Sequence, residues 1–304
     1  VIPTITVEEV SALAKQYLNR KNMVIVVQGP SEGVKHITKE EAIAIMDKVE
    51  NANLEPYKDQ SAEAALITED LKGSKIIATK KLPQFDAEEW TLENGAKVVF
   101  RKADYEKDQV QVASYSKGGT SLYDVDKLAS AMVTDQFIGA YGLGDYDAIT
   151  LRKLLTGKQA QAGVSISGLS ESVGGASTPK DFETLMQLIY LRFEKPRFDK
   201  EVHQTMMQRN YAAIENSGNN PQKIIQDSVS RIMSNYSPRT LSFGKEFLDK
   251  VSIEQIEEIY RDRIKDISDF TFFIVGNIDA ETVKPLVEKY LGSVKSYNRK
   301  ENWI

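Results

Sequence analysis

The chain has 304 residues, which suggests roughly two domains, and carries 39 basic against 44 acidic side chains for a formal net charge of −5. It has no cysteine, which excludes disulfides, thiolate metal sites and cysteine nucleophiles, and only two histidines, His36 and His203. The basic residues are dispersed, and no apolar run approaches the roughly 18 residues of a membrane span, so neither a nucleic-acid footprint nor a membrane crossing is predicted.

The start at Val1 without a leader is expected to lie inside a longer gene product, so it says nothing about secretion. Thr6-Val7-Glu8-Glu9 forms a capping box, and Val10, Leu13, Ala14, Tyr17 and Leu18 follow at helical spacing. Met23 to Val27 then reads as a buried strand ending near Gly29. The same unit recurs late in the chain. Ser252-Ile253-Glu254-Gln255 is a second capping box, Ile256, Ile259, Tyr260 and Ile264 give the stripe, and Phe270 to Val275 is an apolar strand ending at Gly276. Helix-then-strand units are common, so coincidence stays open. A duplication would make residues 1–51 the tail of a preceding, related domain, with a strand that needs partners from upstream sequence. Thr38-Lys39-Glu40-Glu41 caps a further helix to about Val49. Residues 52–88 show little periodicity and read as an extended connector ending at Lys80-Lys81-Leu82-Pro83.

A complete domain is expected over 89–304. Trp90 to Phe100 reads as a hairpin, with Asn94-Gly95 suited to a type I′ turn. Gln109 to Ser116 alternates like a half-buried strand stopped by Gly118-Gly119. Asp124 to Ala140 is helical and Ile149 to Leu155 a short helix. Gln159 to Ser167 and Glu171 to Ser177 read as strands. Helices are predicted over Asp181–Phe193, Asp199–Glu215, Pro221–Ser234 and Ile253–Ile264. Strands first, helices over them, then one late strand indicate an α+β fold rather than a doubly wound one.

Trp90 to Val99, Val112-Ala113-Ser114-Tyr115-Ser116-Lys117-Gly118-Gly119, Thr178-Pro179-Lys180-Asp181-Phe182, Leu191-Arg192-Phe193 with Pro196-Arg197-Phe198-Asp199, and Val275-Gly276-Asn277-Ile278-Asp279 stand in an order that resembles a pitrilysin/insulinase-type zinc peptidase domain. The resemblance covers 90 to about 292 and is nearest to the non-catalytic third domain of bacterial two-half forms. It implies a mixed, largely antiparallel sheet with helices packed on one face, a closed chamber shared with other domains of the same polypeptide, and a periplasmic or envelope location. It also implies a His-x-x-Glu-His helix in the catalytic domain, whose histidines bind zinc and whose Glu is the general base.

Carried onto this chain, the two histidine positions hold Ser130 and Thr134, the base position Val133, and the third-ligand position Glu215. Hydroxyls are poor zinc ligands, valine takes no proton and one carboxylate does not hold catalytic zinc, so no cofactor is expected in this chain and zinc is expected in an upstream half. His203 lies more than three helical turns from Glu215 and is read, like His36, as a hydrogen-bonded histidine. Gly139 to Gly144 follows a helix and is not a nucleotide loop. Ala162 to Ser167 corresponds to the stretch to which substrate adds as an extra strand in the catalytic domain. It has no proline or charge from Ala160 to Gly168, so Gly163, Val164 and Ser165 are candidate peptide-binding positions if the strand lies at an edge, and a chamber wall if it lies inside the sheet. The expected function is a non-catalytic segment of a zinc metalloendopeptidase acting on peptides or small proteins. The alternatives are a structural or interaction protein of the same fold with no catalytic half, and a stand-alone peptide-binding module.

Overall fold

The computed structural model describes residues 4–17, 20–30, 32–53, 65–217 and 220–304. They fall into two compact units divided between Lys58 and Asp59.

In the first unit, helix α1 (Val7–Tyr17) opens on the expected capping box, with Thr6 N–H donating to Glu9 Oε2 at 2.9 Å and Glu9 N–H to Thr6 Oγ1 at 3.2 Å. Helix α2 (Lys39–Glu50) repeats the device through Thr38 and Glu41. The strand expected at Met23 to Val27 is absent. These residues carry no ladder, and Val24 is 84% and Val26 72% exposed. The apolar run has strand composition, but no described strand runs beside it, and an unpaired strand has nothing to hold it. Leu18, assigned to the stripe of α1, lies outside the described residues.

The second unit is built on one sheet. Its strands are β1 (Ile76–Leu82), β2 (Ala87–Leu92), β3 (Lys97–Lys102), β4 (Val110–Lys117), β5 (Ala160–Ile166), β6 (Ser170–Ser177) and β7 (Thr271–Gly276), in the order β1-β2-β3-β7-β4-β6-β5. Only β3 and β7 run parallel, because the late strand enters between two earlier ones. Burial alternates strictly along β4 and nearly so along β7, so one face is covered and the other open. The helices are α3 (Val125–Ala140), α4 (Ala148–Leu154), α5 (Phe182–Glu194), α6 (Lys200–Ser217), α7 (Pro221–Met233), α8 (Lys245–Leu248), α9 (Ile253–Arg263) and α10 (Ala280–Tyr290), of which α3 and α5 pack directly on the sheet. Helix α5 is the most deeply sunk, whereas α7 buries no residue and leaves Ile224, Ile225, Ile232 and Met233 exposed. Trp90 stacks on Phe100 at 5.0 Å, and Phe193 meets Phe270 edge-on, at the centre of the core.

Two local expectations change, and one helix is added. The stretch read as connector contains β1, an edge strand of the sheet. The β2–β3 turn is not type I′: Gly95 has φ +88° but Asn94 is not left-handed, and Leu92 N–H reaches Ala96 O across a wider loop. Asn94 is held by its own side chain, which donates to Leu291 O and Val294 O. Helix α10 follows the last strand, with Val283, Val287 and Tyr290 buried despite Pro285 inside it.

Candidate functional site

Three of the four positions that the resemblance aligns with a zinc site, Ser130, Val133 and Thr134, lie on α3, but as packing and capping residues. Ser130 is fully buried; its hydroxyl donates to Gln255 Oε1 at 2.8 Å and accepts Ser252 N–H at 3.2 Å. It therefore completes the N-terminus of α9, where Ser252 caps Gln255 N–H. Thr134, also fully buried, donates back to Ser130 O at 2.8 Å, and Val133 lies in the core. Glu215 is exposed on α6. Both hydroxyls are committed and the remaining carboxylate stands in solvent, so these residues do not fit a zinc ion. Among the described residues no group of three or more His, Asp or Glu side chains could hold a metal.

The histidines are satisfied groups. His203 Nδ1 lies 2.8 Å from the Tyr141 hydroxyl, and burial pulls the imidazole below its usual range. His36 Nε2 is 2.7 Å from Pro30 O.

Gly163, Val164 and Ser165 lie on β5, which pairs with β6 alone and ends the sheet. The register Ala160↔Ser177 through Ile166↔Glu171 runs without a bulge. At its two ends Thr178 N–H donates to Gln159 O and Ser167 N–H to Ser170 O. Antiparallel pairing alternates, so odd-numbered residues of β5 exchange bonds with β6. The N–H and C=O groups of Ala160, Ala162, Val164 and Ile166 point to the free edge. The sequence could not separate Val164 from Ser165: Val164 presents its backbone outward, while Ser165 presents its backbone to β6 and its side chain to the open face. Gly175 is required opposite, since a Cβ there would run into Gln161 O. An open cleft of about 680 Å³ lies at the start of β5, bordered by Lys107, Gln109, Lys158, Gln159 and Thr178.

One residue at this edge escaped sequence reasoning. Arg192, at the end of α5 and 8% exposed, donates from Nη2 to Ala162 O at 3.2 Å. The signal was a single cation in the apolar run Leu188-Ile189-Tyr190-Leu191-Arg192-Phe193, but its destination required the fold.

A family model described as "Peptidase M16 inactive domain" matches residues 250–303, from the cap of α9 through α10. That stretch is thus similar to the inactive domain of M16 peptidases. The chain's relatives include the "Probable zinc protease PqqL" of Haemophilus influenzae, 24% identical over 230 residues, covering 72% of this chain and 23% of that protein. The "Zinc protease PQQL-like" of Arabidopsis thaliana is 22% identical over 297 residues, covering 96% of this chain and 28% of its own. Among solved structures, the periplasmic protease PqqL from Escherichia coli superposes with a TM-score of 0.71 at 18% identity, over 88% of this chain and 30% of that one. The chain thus spans under a third of the length of these relatives, and it shares its α+β fold with the solved structure. No helix among the described residues is long and apolar enough to cross a membrane.

Proposed function

We propose that this chain is a non-catalytic segment of a zinc metalloendopeptidase, with the zinc site elsewhere in the same polypeptide, and that it forms a chamber wall on which peptide substrate is held as an added strand along β5. On this reading residues 1–51 are the tail of a preceding related domain, 52–88 a connector whose last part joins the sheet, and 89–304 the peptidase-like domain. The exposed apolar residues of the first unit and of α7 suit burial against further domains. The relatives' names supply the parent activity, and the periplasmic neighbour favours a periplasmic or envelope location.

The observation that carries the reading is the free edge of β5. It is uncharged, proline-free and unbulged, and four consecutive outward residues offer main-chain donors and acceptors at the two-residue repeat a guest strand needs. Such binding draws affinity from the main chain and is tolerant of sequence, as a protease chamber requires. The test is fluorescence anisotropy of labelled extended peptides against this chain and its Val164→Pro variant, with folding checked by circular dichroism. Proline removes the outward N–H at the centre of the edge, so binding should fall to background while the fold persists. Equal binding by a folded Val164→Pro variant would overturn the reading. The chain alone should hydrolyse none of these peptides.

A further inference from the structure

Among the described residues two arginines are buried to within a tenth of their surface, and they are paired very differently. Arg263 is 1% exposed and set among carboxylates: Asp262 at 2.5 Å, Glu301 at 2.6 Å and Glu171 at 3.9 Å. Arg192 has no ion pair with any described carboxylate. Its one hydrogen bond is to the Ala162 carbonyl, and its Nε is buried with no acceptor. A guanidinium taken out of water without a counter-charge is costly, and a neutral carbonyl returns only part of that cost. The Tyr260 hydroxyl approaches Arg192 but donates at 2.7 Å to its backbone carbonyl, leaving the cation unrelieved. Burial accordingly pulls the arginine pKa down.

The acceptor it has found lies on the free edge. Ala162 is one of the residues of β5 that face away from β6, so Arg192 reaches the line along which a guest strand would lie. One lone pair of Ala162 O is taken by Nη2, and the second remains for a guest N–H. No other charged side chain belongs to this edge, since Ala160 to Gly168 carries none. The edge therefore has main-chain complementarity to any extended peptide and charge complementarity to an anionic one.

We propose that Arg192 is the anion-binding group of the β5 edge, pairing with a carboxylate of a peptide strand added beside Ala162 and Val164. This rests on the edge-binding reading above and adds a preference to it. The guanidinium moves from its single carbonyl toward the incoming carboxylate, which matches its planar fork and supplies the missing counter-charge. The carboxylate comes from a free C-terminus or from an Asp or Glu side chain at that register.

The test uses one extended peptide in four forms: free C-terminus, C-terminal amide, amide with one central Glu, and amide with Gln at that position. Binding to the wild-type chain is measured by fluorescence anisotropy at low and high salt. One or both carboxylate forms should bind roughly tenfold more tightly than their neutral counterparts, with the advantage shrinking at high salt. Which pair differs identifies the source of the carboxylate. Arg192→Gln should abolish the difference, and Arg192→Lys should keep part of it while losing the fork. The wild-type contrast needs no variant, so a poorly folding substitution leaves the test intact. Equal binding of all four forms, still sensitive to Val164→Pro, would overturn the role of Arg192 and leave the edge reading standing. Absence of binding by every form would overturn both.

Discussion

The sheet has two edges, and they are defended differently. Strand β1 carries Lys80 and Lys81, breaks register between Ile76 and Ala78, and runs directly into Pro83. Each device spoils pairing with a further strand: the lysines resist burial, the irregularity bends the ladder, and the proline removes a donor. Strand β5 has none of them. The nine residues from Ala160 to Gly168 are uncharged, the register of β5 is regular, and Arg192 on α5 reaches its Ala162 carbonyl. A chain that guards one edge with three devices and the other with none has not simply tolerated an open edge. On the proposed reading, the contrast makes β1 a boundary and β5 a place where pairing is admitted.

The largest effect should come from testing which backbone groups of β5 face outward. Ser165→Pro removes a donor directed at β6 and orphans the facing Ser172 carbonyl, costing about 1–3 kcal/mol before any steric strain. That lowers Tm by about 2–4 °C per kcal/mol in a domain of this size. Val164→Pro removes a donor directed at nothing and should cost clearly less. Thermal denaturation of the two variants side by side checks this. A greater loss for Val164→Pro would mean that the alternation is inverted, and Ser165 would become the guest-facing position.

A smaller effect follows from exchanging the guards. Replacing Lys80 and Lys81 together by valine should convert β1 into a second admitting edge, seen as concentration-dependent self-association in sedimentation velocity. Conversely, Gly163→Lys places a charge on the open face of β5, where a Cβ meets nothing within 4 Å, and should weaken peptide binding without affecting stability. If the unguarded β1 stays monomeric and the guarded β5 binds peptide as before, charge is not what distinguishes the edges.

Much of this was legible in the sequence, and the exceptions have physical causes. The capping boxes at Thr6 and Thr38 and the alternation of β4 depend on neighbours in the chain, and they formed as read. Met23 to Val27 did not, because a strand is a relation to another strand and no described one adjoins it. Strand β1 was hidden by its position: with solvent on several sides it has no reason to alternate. Helix α10 was hidden by Pro285. At the site, Ser130, Val133 and Thr134 were singled out only through family resemblance. Ser130's present work at the cap of α9 was not visible, since its partners lie more than 100 residues away. Arg192 stood out as a lone cation but acquired meaning only once the register fixed the direction of the Ala162 carbonyl.

The smallest predicted effect compares how each edge is pinned at its start. Gln159, just before β5, donates its N–H to Asp181 at 2.9 Å, and Ile76, the first residue of β1, donates to Glu288 at 3.0 Å. Both carboxyls are held below their usual range, Asp181 by the Gln159 N–H foremost and Glu288 by the Lys75 ammonium and then the Ile76 N–H. A depressed carboxyl pKa means that the unfolded chain takes up protons first as pH falls. The stabilisation is therefore complete above the unfolded values of about 3.9 and 4.3, and is lost as pH drops through the folded ones. Amide exchange at Gln159 and Ile76, corrected for intrinsic rates, should accelerate below about pH 4. Asp181→Asn and Glu288→Gln should each remove the pH step at their own edge and leave the other unchanged. The pins differ in composition. The Glu288 pin leans on Lys75, whose side chain is 80% exposed, so salt should weaken it and move its midpoint upward. The Asp181 pin rests mainly on a backbone donor and the Thr178 hydroxyl, with Lys158 farther off at 3.8 Å, so added salt should move it little. Equal salt sensitivity at the two amides would show that the edges are fastened alike and differ only in how they are guarded.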